Sequence, residues 1–141
     1  MVAHGYVRTT KDVDIVPSPV PENRRLLERA LLALDAVPVG EGDLRREEMP
    51  VRWGTGALDS GGNWALQTVH GRVDVLQYIE GAPFVESYAP LRDEALVVDV
   101  PRVGTIRFAS LDHLTRMKRV AARPQDLHDL AALADLRAGD R

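Results

Sequence analysis

Polar and apolar residues alternate along Lys11-Asp12-Val13-Asp14-Ile15-Val16, and the run stops at Pro17. A period of two with β-branched residues predicts a half-buried strand, in which Asp12 and Asp14 point one way while Val13 and Ile15 pack on the other face. Past the stiff connector Pro17-Ser18-Pro19-Val20-Pro21 the period lengthens. Leu26, Leu27, Ala30, Leu31 and Leu34 fall on one stripe, which predicts a helix opening at Pro21 or Glu22 and running to about Ala36.

The periodicity then lapses. Residues 37–63 carry Gly40, Gly42, Gly54, Gly56, Gly61 and Gly62 among many charges, so the expectation is mostly mobile loop with one short helix near Leu44 to Glu48. Two strand-like runs follow, Asn63 to Val69 and Arg72 to Gln77, separated by His70-Gly71 at hairpin spacing. A short helix is expected at Pro83 to Tyr88. A second strand pair, Ala95 to Val100 and Thr105 to Ala109, flanks the turn Pro101-Arg102-Val103-Gly104. Ser110 reads as the N-cap of a helix with Leu111, Leu114, Met117 and Ala121 on one stripe. Pro124 suits the first turn of a final helix bearing Leu127, Leu130, Ala131 and Ala134. The sum is an α+β fold, a mixed β-sheet flanked by helices with further helices at the C-terminal end.

At 141 residues the chain has the length of one domain, and we read residues 1–141 as a single one. It has no cysteine, which excludes disulfides, thiolate metal sites and cysteine nucleophiles and leaves carboxylates and histidines as metal ligands. No apolar run approaches the ~20 residues of a membrane helix and the first residues lack signal-peptide regions, so no membrane partner and a cytoplasmic location are expected. The net charge of −3 argues against generic nucleic-acid binding. Between residues 102 and 123, however, Arg102, Arg107, Arg116, Lys118, Arg119 and Arg123 face only Asp112, a block that could meet phosphates or simply be solvated.

The candidate chemistry lies in the acids. Asp12 and Asp14 project from one strand face, and like charges so placed call for a compensating cation, which a divalent ion with oxygen ligands supplies; an edge strand showing acids to water fits the same spacing. Asp74 sits mid-strand between Val73 and Val75, so an adjacent strand could set a third carboxylate beside the pair. Lys118 falls beside an apolar stripe, where its ammonium either reaches water or finds a partner. Asp126 and Asp129 are candidates for a salt bridge with Lys118 or Arg123. His4, His70, His113 and His128 form no i, i+4 pair, and neither a Walker-type loop nor a Gly-x-Ser-x-Gly elbow is present.

Taken in order, the segments His4 to Ile15, Gly71 to Leu76, Leu114 to Lys118 and Arg123 to Leu130 resemble the minimal bacterial nucleotidyltransferase superfamily, and most of all its abortive-infection and toxin–antitoxin branch. The resemblance spans nearly the whole chain except residues 37–63. It implies that Asp12, Asp14 and Asp74 hold two magnesium ions, that Asp74 also assists proton removal, that Lys118 contacts phosphate, and that Asp126 is the acid of the C-terminal motif. Arg8 and Thr10 would flank the nucleotide. The implied reaction moves a nucleoside monophosphate from a nucleoside triphosphate to an RNA acceptor, such as a transfer RNA end, or to a protein, in a toxin that an antitoxin partner would control.

Members of that superfamily carry a strand and a Gly-Gly or Gly-Ser turn ahead of the helix matched by Val2-Ala3-His4-Gly5, and this sequence begins inside that helix. The expectation is either a start upstream of Met1 or a shortened, non-catalytic member that binds a nucleotide or a partner. A missing strand would also leave a sheet edge for a second copy, giving a homodimer.

Overall fold

The computed structural model describes residues 12–39 and 52–122, together with Asp126, Leu130 and Ala134. It realises the alternating run as β1, Asp12–Ile15, and the longer period as α1, Pro21–Ala33. Two short elements follow, β2 at Val37–Pro38 and a 3-10 helix at Ala57–Ser60. The hairpin comprises β3, Trp64–Thr68, and β4, Gly71–Val75. Beyond it lie α2, Phe84–Ser87; α3, Ala89–Asp93; β5, Leu96–Val100; β6, Gly104–Phe108; and α4, Leu111–Ala121. Asp126, Leu130 and Ala134 are helical. Arg8, Thr10 and the helix expected at 44–48 lie outside the described residues. The chain is thus mixed α+β, and it divides into two compact units, Thr10–Tyr78 and Met1–Thr9 with Ile79–Arg141.

In the Thr10–Tyr78 unit a four-stranded mixed sheet has the order β1-β4-β3-β2. β4 pairs in parallel with β1 and antiparallel with β3, and β2 pairs antiparallel with β3. Strand alternation sends Trp64, Leu66, Val73 and Val75 to one face. There they form a core with Leu31, Ala36, Ala57 and Leu58, against which Leu27 and Trp53 also pack. The opposite face is polar.

Two sequence expectations change here. Val13 shares the core-side face yet is 56% exposed, because it lies on β1, outside the cluster that α1 and the 3-10 helix cover. On α1 the inward face is Arg24, Leu27, Glu28 and Leu31, also at helical spacing, while Leu26 is 49% exposed and Ala30 faces solvent. The rotation has a chemical cause. The Glu28 carboxylate turns inward to accept hydrogen bonds from the backbone N–H groups of Gly56 at 2.7 Å and Leu58 at 3.1 Å, at the start of the 3-10 helix. Residues 52–63, expected as loop, are in their described part pinned in this way, and Ala57 and Leu58 are buried.

α1 starts with a proline in its first turn. It ends in a Schellman arrangement: Asp35 takes φ 51°, the Ala36 N–H reaches the Leu31 carbonyl at 3.1 Å, and both apolar side chains are buried. At the far end of the hairpin, the Asn63 side-chain oxygen accepts from the N–H groups of Gln77 at 2.8 Å and Tyr78 at 3.0 Å, which fixes where β4 leaves the sheet.

In the other unit β5 and β6 form a separate two-stranded antiparallel sheet, as expected from sequence, with Val98 opposite Ile106. Ser110 is the N-cap of α4, its hydroxyl accepting from the His113 N–H at 3.2 Å. The buried positions of α4 are His113 and Thr115, not the Leu111, Leu114, Met117 and Ala121 stripe, whose members are half-buried or, for Ala121, exposed. His113 is drawn in by Phe84, whose ring centroid lies 4.7 Å from the imidazole, and its Nδ1 lies 3.0 Å from the Ser110 hydroxyl. The Arg116 guanidinium stacks over Phe84 at 4.5 Å. Gly81 takes φ 75° and passes so near Val120 that a β-carbon there would lie 3.2 Å from a valine methyl.

Candidate functional site

The polar face of the four-stranded sheet is dictated by register. β1 and β4 run in parallel with Asp12 beside Arg72 and Asp14 beside Asp74, so alternation sets all four side chains on one face. Across β3, Ala65 is the partner of Asp74 and Gln67 that of Arg72. Asp14 is exposed and Asp12 is half-buried.

Adjacent strands lie about 4.8 Å apart, so Asp14 and Asp74 are nearest neighbours, while Asp12 is displaced from Asp14 by about 6.8 Å along β1. Three carboxylates from two strands distant in sequence therefore share one face of the sheet. Like charges opposite each other weaken a sheet, and hydrophobic burial gives no reason to place them there.

Arg72 supplies part of the compensation. Its Nε donates to Oδ1 of Asp74 at 2.8 Å and its Nη2 donates to Oδ2 at 3.2 Å, a two-pronged pair. The sequence pattern did not single out Arg72, although its position two residues before Asp74 in a strand already implied a shared face.

Asp12, Asp14 and Asp74 offer only oxygen ligands, the donor type that magnesium and manganese(II) take. Among the described residues, no group of three or more carboxylate or imidazole side chains is arranged to hold a metal ion as it stands. The bidentate pair is one reason, since both Asp74 oxygens face the guanidinium.

Lys118 and Asp126 belong to the other unit and meet there. The Lys118 Nζ donates to Oδ1 of Asp126 at 3.1 Å, with the two side chains 18% and 3% exposed. One of the acids that the sequence offered Lys118, Asp126, meets it and ties α4 to the following helical segment, while Asp129 lies outside the described residues. Removing one member of so buried a pair strands the other's charge. Lys118→Met is expected to lose about 3 kcal/mol in urea denaturation. Lys118→Met combined with Asp126→Leu should lose clearly less than the two single changes added together.

A scan against protein-family models gives no match for this chain, and a search of curated proteins gives none either. Among the described residues, no helix is long and apolar enough to cross a membrane.

Proposed function

We propose that this chain is a metal-dependent nucleotidyltransferase, built on a nucleotidyltransferase-like sheet, that moves a nucleoside monophosphate from a nucleoside triphosphate to an acceptor. One observation carries the reading: the parallel register that makes Asp14 and Asp74 neighbours, with Asp12 on the same face. The ordered sequence resemblance to the minimal bacterial superfamily supports it independently.

Within this reading Asp12 and Asp14 present oxygen ligands from β1 and Asp74 presents them from β4, to hold two magnesium ions. Bound there, the cations would neutralise triphosphate charge and favour deprotonation of the acceptor hydroxyl. The protein's own contribution is positional. β4 is fixed at its C-terminal end by Asn63 and on its inner face by Val75, so Asp74 is held on a rigid strand rather than a loop. Asp74, the less exposed of the pair with Asp14, is the group suited to receive the acceptor's proton.

An RNA acceptor, a transfer RNA end being the form the resemblance suggests, is favoured by the arginines of the other unit. Among these, Arg116 and Arg119 are exposed on α4 and Arg102 is exposed at the β5–β6 turn. On the same resemblance the chain acts as a toxin under an antitoxin's control.

A second reading is favoured by the Arg72–Asp74 pair, which already occupies the third carboxylate: a non-catalytic module that binds a nucleotide or a partner. The two are separated by incubating the purified chain with each labelled nucleoside triphosphate, total RNA and magnesium. The enzyme gives label on RNA that disappears with chelator. The module gives none with any of the four nucleotides, and that result would end the catalytic proposal.

A further inference from the structure

α1 carries more apolar surface than the core beneath it takes up. Because Glu28 turns inward to Gly56 and Leu58, the buried side of the helix is Arg24, Leu27, Glu28 and Leu31, and part of the apolar stripe is carried round to the outside. Leu26, Ala30 and Ala33 are all exposed, and they succeed one another at spacings of four and three residues along one line of the helix. Leu26 is the one large side chain of the three. The two alanines beyond it leave a shallow stretch over which a second helix can lie close.

The charges beside this line indicate what lies there. Glu22 and Arg29 are exposed on one flank of it, seven residues and so about two turns apart, with Leu26 at the middle of the interval. A contact between identical surfaces about a two-fold axis requires that residue i meet j while j meets i. When α1 of a second copy is laid antiparallel with the axis through Leu26, the two leucines meet each other, and Glu22 of each copy lies beside Arg29 of the other. Ala30 then faces the first turn of the opposite helix, where its small size lets the two approach. Arg25, about 100° round the helix from Leu26, stays at the solvent edge.

We propose that the outer face of α1 is a self-association surface, on which a second copy of this chain docks its own α1 antiparallel about Leu26. This does not depend on the reading of the acidic face. The contact is two turns long, which places the association in the weak, reversible class, with a dissociation constant of about 10 to 100 μM.

The test exchanges the charges. Sedimentation equilibrium of the unmodified chain at low salt, from about 5 to about 500 μM, is expected to show monomer passing to dimer. Glu22→Arg and Arg29→Glu each turn both ion pairs into like-charge contacts, and each should weaken the dimer about tenfold or more. Mixed in equal amounts, these two single variants should associate with each other, since one then offers arginine at both positions and the other glutamate. The chain carrying both changes should regain the affinity of the unmodified one. Leu26→Gln, which removes the contact at the axis without touching a charge, should weaken the dimer by a similar factor. All three positions are exposed, so melting temperatures followed by circular dichroism should stay within about 2 °C of the unmodified chain's.

An unmodified chain that remains monomeric at about 500 μM would overturn the proposal and leave the face to a partner of different sequence. A dimer that neither the charge reversals nor Leu26→Gln weakens would overturn it too, because the copies then meet elsewhere. So would a mixture of the two single variants that associates no better than either alone.

Discussion

Asp14→Asn is expected to lower magnesium-dependent nucleotide incorporation by about a thousandfold or more while leaving the melting temperature of the metal-free protein within about 2 °C of the unmodified chain's. The size of the loss follows from charge. Asparagine keeps the shape and one oxygen of aspartate but gives up the negative charge that a divalent ion needs, and several kcal/mol of transition-state stabilisation depend on those ions. The small size of the stability change follows from exposure. Because Asp14 is exposed, the substitution opens no cavity.

The pairing of these outcomes makes the experiment discriminating. A residue that only supports the fold would lose activity and stability together, while an exposed ligand loses activity alone. Incorporation at the normal rate by Asp14→Asn would sink the proposal. So would unaltered metal affinity in a chain with Asp12, Asp14 and Asp74 all changed to asparagine.

How far the site could be read from sequence depends on which physical rule applied. The strand containing Asp12 and Asp14 and the hairpin containing Asp74 were legible, because alternation with β-branched residues is a strong local signal. Their common face follows once the strands are adjacent in the register found. The adjacency itself was not legible: β1 and β4 are parallel neighbours joined by a long connection, and no local pattern fixes parallel register.

The inward face of α1 was misplaced for a different reason. Periodicity assumes that acids face water, whereas Glu28 is 4% exposed and its neighbours on the buried stripe include Arg24. The 3-10 helix that Glu28 caps has only four residues, too few to show a period, and sits among glycines that read as loop. Val13 shows the converse. It has the composition of a core residue, but its position on β1 leaves it in contact with water. Lys118, by contrast, announced its need for a partner by lying beside an apolar stripe, and Asp126 meets that need.

Glu28→Ala is expected to destabilise the protein by about 3 kcal/mol, the loss of two charge-assisted hydrogen bonds from a buried carboxylate. Two backbone donors, the N–H groups of Gly56 and Leu58, would lose their acceptor at the start of the 3-10 helix, which has no side-chain cap of its own. For a chain of this size each kcal/mol moves the melting temperature by roughly 2 to 4 °C, so a fall of about 10 °C is expected by calorimetry or circular dichroism. Glu28→Gln keeps one carbonyl oxygen but turns an amide NH2 towards the second donor, and should fall between the two. The damage would not stop at the loop. Leu58 is fully buried in the same cluster as Val75, and its carbonyl accepts from the Gln77 side chain at 3.1 Å, so the 3-10 helix buttresses the strand that carries Asp74. Glu28→Ala should therefore weaken manganese(II) binding as temperature rises towards the lowered transition, yet leave it intact well below. A melting temperature within about 2 °C of the unmodified chain's would mean that water replaces the carboxylate at no cost, and that the 3-10 helix is held by its apolar contacts alone.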